Sequence, residues 1–382
     1  MRSCRRPLRR QDRGRARRRL RYGRRHAPPL LLMSPTRRES VTTATPEKAS
    51  TMTPRKSKSG LSAQHRAWTF AARYGTLAVL VLMIIGFGMA SPDAFLSQRN
   101  LINILNQGAL LAIIAGGVTF VLVVGQFDLS FANMISLSGI LTVGLMQFSG
   151  LPSYAAIAIT LAVSCIVGLF NGFLVMYLRM SSIVATLATS TILIGINFWY
   201  SNGVPVTVGG GSGFTDIARA RLLGIPMPII YMVVILAVLW VILNRTMLGH
   251  HVQAVGSNTL ASQMAGVRVS RVTITAFVLA SLCAGVAGII LSARIGSGQV
   301  TAGDGFLLSA FAAVFLGASV IRDGEFHIFG TFVGVLIVTV TTNGLSILGA
   351  PSFVQFLSQG GILIAAVALS TLSRRVLGTQ RH

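Results

Sequence analysis

Ten apolar stretches, at about 68–90, 105–125, 129–149, 153–177, 183–201, 225–243, 272–293, 306–321, 328–348 and 355–372, take up most of this sequence. About 20 apolar residues in a helix cross the hydrocarbon of a bilayer. No water is present there to satisfy a bare peptide group, so each stretch must close its own hydrogen bonds as a helix. The expected fold class is all-α, a polytopic membrane protein with about ten transmembrane helices. A composition of 52% hydrophobic and 11% charged residues does not provide the charged shell of a soluble domain.

The net charge of +24 points at first to nucleic acid, but 21 of the 33 Lys and Arg fall within residues 1–74. We therefore divide the chain into a basic, disordered cytoplasmic tail (1–66), a transmembrane domain (67–372) and a short cytoplasmic C-terminal tail (373–382). The first tail has three readings: a solvated segment that fixes orientation, a start called too early with Met33 or Met52 the true initiator, and, least favoured, a nucleic-acid arm. No nucleic-acid partner is expected. With this tail inside, ten spans return the C-terminus to the same side. The remaining Arg then sort eight inside to four outside, as the positive-inside rule requires. The expected location is the inner (plasma) membrane, multi-pass, with both termini cytoplasmic and lipid around the spans.

The spans carry small-xxx-small pairs, Gly168 with Gly172 and Gly330 with Gly334, that let helix backbones approach closely. A shift of 195 residues aligns Ala115, Phe120, Asp128 and Phe131 with Ala310, Phe315, Asp323 and Phe326, while a five-span offset sets Asp128 against Asp304. Parallel and inverted duplication both stay open. The external loop 202–226 contains GGGSG, but without the Lys and the strand-before-helix setting of a P-loop it reads as a turn. The cytoplasmic loop 244–271 contains a short helix pattern, with Asn258 as N-cap and Gly266 just past the end.

Little here could do covalent chemistry. No GxxxxGK[ST] or HExxH is present, Cys4, Cys165 and Cys283 have no CxxC spacing, and neither metal nor cofactor is expected. The chain is not read as an enzyme, and any ATP hydrolysis belongs to a separate subunit. What the spans offer is neutral hydrogen-bonding groups. Asn103, Asn106, Gln107, Gln126, Phe131 and Asn133 are the candidate solute pathway, with Thr186, Thr189, Ser190 and Asn197 nearby in type. Most Ser and Thr in such helices bond a carbonyl of the preceding turn. The one carboxylate amid apolar runs, Asp128, follows Gly125 and precedes Leu129 and Ser130. It reads first as a cap on the third span, with direct solute contact as the alternative.

The stretch GQFDLSFANMISLSG (125–139), preceded by FLSQRNLINILNQ (95–107), resembles the GG-[IV]-DLS-VG-S segment of permease subunits of ribose- and xylose-type ABC importers, in the branched-chain amino-acid/sugar permease superfamily. The resemblance runs from about 70 to 372. It implies a type II ABC importer-like permease that translocates a monosaccharide. Its implied partners are an ABC ATPase subunit, an extracytoplasmic sugar-binding protein, and a second permease copy or paralogue that completes a dimeric pore. By resemblance, residues 254–267 form the ATPase-coupling loop, with Gly256, Asn258, Ala261 and Gly266 at matching positions. Gln126 stands where a second Gly is usual, and Phe131 and Ala132 where a small aliphatic and a Gly are. The alternatives are an ABC permease for branched-chain amino acids or nucleosides, and an ion-coupled secondary carrier, which the scarcity of charge within the spans disfavours.

Overall fold

The computed structural model describes residues 63–209, 213–320 and 325–378, with side chains from 76 to 368 within those limits. The basic tail 1–62, residues Arg322 and Asp323 and the last four residues lie outside the described residues. The expectations for the tail lie there with them.

The chain is helical almost throughout. In order come α1 (Ala63–Ala90), α2 (Pro92–Phe95), α3 (Gln98–Val123), α4 (Phe131–Ser149), α5 (Ser153–Met176), α6 (Ser182–Ser201), β1 (Val206–Thr207), α7 (Asp216–Arg219), β2 (Arg221–Leu222) and β3 (Ile225–Pro226). There follow α8 (Met227–Arg245), α9 (Met247–Ser257), α10 (Thr259–Met264), α11 (Val269–Ile295), β4 (Ser297–Gly298), α12 (Phe306–Ala318), α13 (Ile328–Ile347) and α14 (Ser352–Gly378). Each of the ten apolar stretches becomes one helix. Among the described residues, 7 are long and apolar enough to cross a membrane: α3, α4, α5, α6, α8, α11 and α13. The apolar parts of α1 and α14 are shorter, and so is α12. At 1.5 Å per residue α12 rises only about 20 Å, against about 30 Å of hydrocarbon.

The physical reason for the short α12 lies just before it. α11 stops at Gly296, whose φ of 83° is left-handed and open to Gly without strain. Residues 297–305 then continue without helix beside α4. Gly298 packs on Gly139 and Ile140, and Gly303 on Ala132, in each case so closely that a Cβ would meet α4 backbone. The Gly303 amide donates to Ser136 Oγ at 2.9 Å. Irregular backbone at this depth is tolerated because protein surrounds it.

A second break, residues 124–130, separates α3 from α4, and again a left-handed glycine, Gly125 with φ 78°, turns the chain. The two breaks are equivalent. Exchanging α3 with α11, α4 with α12, α5 with α13 and α6 with α14 reproduces the main packing: α3 lies on α13 as α11 lies on α5, α4 on α6 as α12 on α14, and α3 on α12 as α11 on α4. Gly117 of α3 packs on Ala280 and Cys283 of α11, while the Asn106 carbonyl faces Arg294, so these two helices run antiparallel. The halves are therefore an inverted repeat. The 195-residue shift would instead equate α3 with α12, which the packing rejects, and Asp304 rather than Asp323 occupies the break equivalent to that of Asp128.

Small residues set the closest contacts. A Cβ on Gly168 or Gly172 would strike the α11 backbone at Val278 and Ile274, and one on Gly334 would strike Ala313 of α12. Polar staples fix α3 to α13 at both ends: Thr119 and Thr331 share a hydrogen bond of 2.8 Å, and Asn100 and Asn343 exchange two of 3.0 Å.

Candidate functional site

The DLS segment fills the first break. Backbone bonds from Gly125 N to Leu122 O and from Gln126 N to Val121 O, both 3.0 Å, close the end of α3. Beyond them the chain has no helical partners, and side chains of neighbouring helices substitute. Phe127 N donates to Ser182 Oγ (3.1 Å) and Leu129 N to Thr186 Oγ1 (3.0 Å), both on α6. Asp128 is fully buried. Its Oδ1 accepts from Ser130 N at 2.8 Å and Ser130 Oγ at 2.7 Å, and that hydroxyl accepts from Asn171 Nδ2 of α5 at 2.7 Å. Asp128 Oδ2 and Asn171 Oδ1 are buried without a hydrogen bond.

Asp128 thus closes an Asx turn onto the residue two further on. The N-cap of α4 is Ser130, so the carboxylate organises the approach to the helix rather than occupying the cap itself. Asn171, inside the GLFNG pair, and Ser182 belong to this network, and the sequence reading passed over both. The signal for Asn171 was an amide between two close-packing glycines of an apolar helix.

The candidate pathway residues do not come together. Asn103 and Asn106 line a pocket of about 430 Å³ near the N-terminal end of α3 with Ser97, Arg99, Asn100 and Arg221. Gln107 is exposed on the next turn of α3, and Asn106 Oδ1 is buried there with no hydrogen bond. Gln126, Phe131 and Asn133 lie beyond the far end of α3, roughly 30 Å away at 1.5 Å per residue. Phe131 is fully buried against Phe311, with ring centroids 5.8 Å apart, and Asn133 Nδ2 donates to Ser190 Oγ at 2.6 Å. Gln126 is half-buried beside the exposed Gly125, and Leu129 is half-buried.

The 244–271 loop contains the short helix expected, α10, and a further one before it, α9. Asn258 ends α9 and caps α10, its Oδ1 accepting from Ala261 N at 2.9 Å, and Gly266 follows α10 with φ 83°. α9 buries Val252 and Val255, whereas α10 leaves Leu260 68% and Met264 84% exposed. Two large apolar side chains thus stand exposed on a capped, six-residue helix. Neither was picked out from sequence, because both were read as part of a helix pattern without a face.

The family described as branched-chain amino acid transport system / permease component matches residues 100–367. The ribose import permease protein of Bacillus subtilis is 37% identical over 298 residues, 78% of this chain and 92% of that protein. The D-allose transport system permease protein of Escherichia coli is 33% identical over 303 residues, covering 79% and 93%. The L-arabinose ABC transporter permease protein of Azospirillum brasilense is 34% identical over 307 residues, covering 80% and 90%. No solved structure matches the chain.

Proposed function

This chain belongs to the branched-chain amino acid transport system / permease component family, and from that premise we propose that it is the membrane subunit through which a monosaccharide enters the cell. The observation that carries the substrate class is that the ribose, allose and arabinose permeases each align over nine-tenths or more of their own length. The geometry supports the same reading. The chain holds inverted halves around two broken segments, and among its described residues it offers neutral amides rather than charge along the spans.

The parts divide by side. At the outer end, Asn100, Asn103 and Asn106, with Arg99 and Arg221, line a pocket, with Gln107 exposed on the next turn, and its donors and acceptors suit a polyhydroxylated solute handed over by an extracytoplasmic binding protein. At the inner end, α10 presents Leu260 and Met264 to an apolar groove of a separate ATPase, with Asn258 and Gly266 fixing the ends of the helix. The 125–130 segment with Phe131 and Asn133 lies at the inner end of α3, where its groups are taken up by packing and hydrogen bonds to neighbouring helices. A second copy of the chain, or a paralogue, completes the pore, and both termini face the cytoplasm.

Reconstitution in liposomes with its ATPase and binding protein tests this. ATP-dependent uptake of a labelled pentose or hexose is expected. Uptake of leucine or a nucleoside in place of sugar would move the substrate class, and uptake without ATP, driven by a sodium or proton gradient, would overturn the importer reading.

A further inference from the structure

α9 reaches the membrane domain at a bare carbonyl. Helix α3 has four C-terminal carbonyls to satisfy. Phe120 O, Val121 O and Leu122 O receive the amides of Val124, Gln126 and Gly125. Val123 O receives no N–H donor among the described residues, and Gly256 at the end of α9 sits directly on it: a Cβ at 256 would fall onto that oxygen. The contact is a Cα–H against a carbonyl, which only glycine permits at this separation.

The rest of α9 is held to α8. Gly249 packs on the carbonyls of Ile242 and Leu243, and Gln253 Nε2 donates to Leu243 O at 2.8 Å. α9 therefore bridges the inner ends of α8 and α3, with α10 continuing from it. Beyond Gln126 the break has no helical bonds of its own: the amides of Phe127 and Leu129 donate to the α6 hydroxyls of Ser182 and Thr186, and the α5 amide of Asn171 donates to Ser130 Oγ. A displacement of α9 toward or away from α3 is felt first at the 124–130 break.

We propose that Gly256 is a positioning residue for energy coupling: its contact with Val123 O passes movement of the ATPase-bound α9–α10 pair into the 124–130 break, and through Ser182, Thr186 and Asn171 to α6 and α5. This rests on the reading that α10 seats in the ATPase. Movement enters at α3 through this end-on contact, beside the packing of α9 and α10 against α11.

Two measurements on the full complex of permease, ATPase and binding protein test it. Hydrogen exchange on the native complex, with and without a non-hydrolysable ATP analogue, is expected to change at least about tenfold at the amides of 124–130, and Leu260→Ser is expected to abolish that change. In the Gly256→Ala complex, solute moved per ATP hydrolysed is expected to fall at least about tenfold, a factor equivalent to about 1.4 kcal/mol, with the ATPase still co-purifying. A nucleotide response confined to α9–α10, with 124–130 silent, overturns the route while leaving the docking reading intact. Silence in both regions, with uptake still ATP-driven, overturns both. Native coupling in a folded Gly256→Ala complex overturns the role of Gly256.

Discussion

Asp128→Leu and Asp128→Asn separate two reasons for keeping a carboxylate between apolar helices. In the wild type, Oδ1 accepts two short hydrogen bonds from Ser130. Leu at 128 leaves the Ser130 amide and hydroxyl to find new partners in a dry site, at about 1–3 kcal/mol for each buried group left unpaired. The sum, about 2–6 kcal/mol, is a large share of a marginal folding free energy. Asn retains an acceptor at Oδ1 and replaces only Oδ2, which has no hydrogen bond to lose, so its cost is about 1 kcal/mol, the loss of charge assistance. Thermal unfolding of the detergent-purified subunit, read by fluorescence-detected gel filtration, is expected to show Asp128→Leu lowered by about 4–24 °C and Asp128→Asn by less than about 4 °C, at about 2–4 °C per kcal/mol. Equal losses in the two variants would refute the turn-forming role, because the charge and not the acceptor would then be what the fold uses. A stable Asp128→Asn protein without transport would assign the carboxylate to solute.

Three further outcomes follow from contacts already described. Gly172→Leu drives a side chain into the α11 backbone at Ile274, a clash with no flexible partner to yield, and is expected to abolish membrane expression measured by quantitative blotting, whereas Gly195→Leu, with open space around it, is expected to be neutral. Thr119→Val and Thr331→Val each remove one side of the 2.8 Å staple, at about 1 kcal/mol apiece, and the double variant is expected to cost less than the sum in a double-mutant cycle of melting temperatures. Asn258→Ala removes the α10 cap, at about 0.5–2 kcal/mol of local helix stability, and is expected to weaken ATPase co-purification more than it lowers the melting temperature.

The helices were legible from composition and length alone, because each bilayer-crossing segment must satisfy its own backbone and therefore announces itself as an apolar run. Boundaries were legible where a glycine or a cap sits: Gly125, Gly296, Asn258 and Gly266 all mark ends that the sequence pattern predicts or allows. The direction of the duplication was not. Identities at a 195-residue shift, such as Phe120 with Phe315, arise in helices of similar composition and carry no packing information, whereas the antiparallel contact of Gly117 with Ala280 does. The site residues were legible as a set but not by role, since an Asn in a membrane helix looks the same whether it faces solute or another helix.

The two breaks explain how the roles sort. Wherever the backbone leaves the helix inside the bundle, it loses the partner that water would supply in a soluble protein, and hydroxyl side chains from a neighbour replace it: Ser182 and Thr186 for the amides of 127 and 129, Ser136 for that of 303. Arg219 does the same at the C-terminal end of α11, donating to the carbonyls of Arg294 and Ile295. Asn133 is occupied by Ser190, and Asn171 by Ser130. Once these are assigned to the fold, the side-chain amides on α3 left exposed or lacking a partner are Gln98, Asn103, Asn106 and Gln107, all toward its N-terminal end. Discrimination among sugars by this subunit is therefore expected to follow substitutions at that outer end, while substitutions at Gln126 and Phe131 act on the inner break that α9 touches and change the coupling of transport to ATP instead.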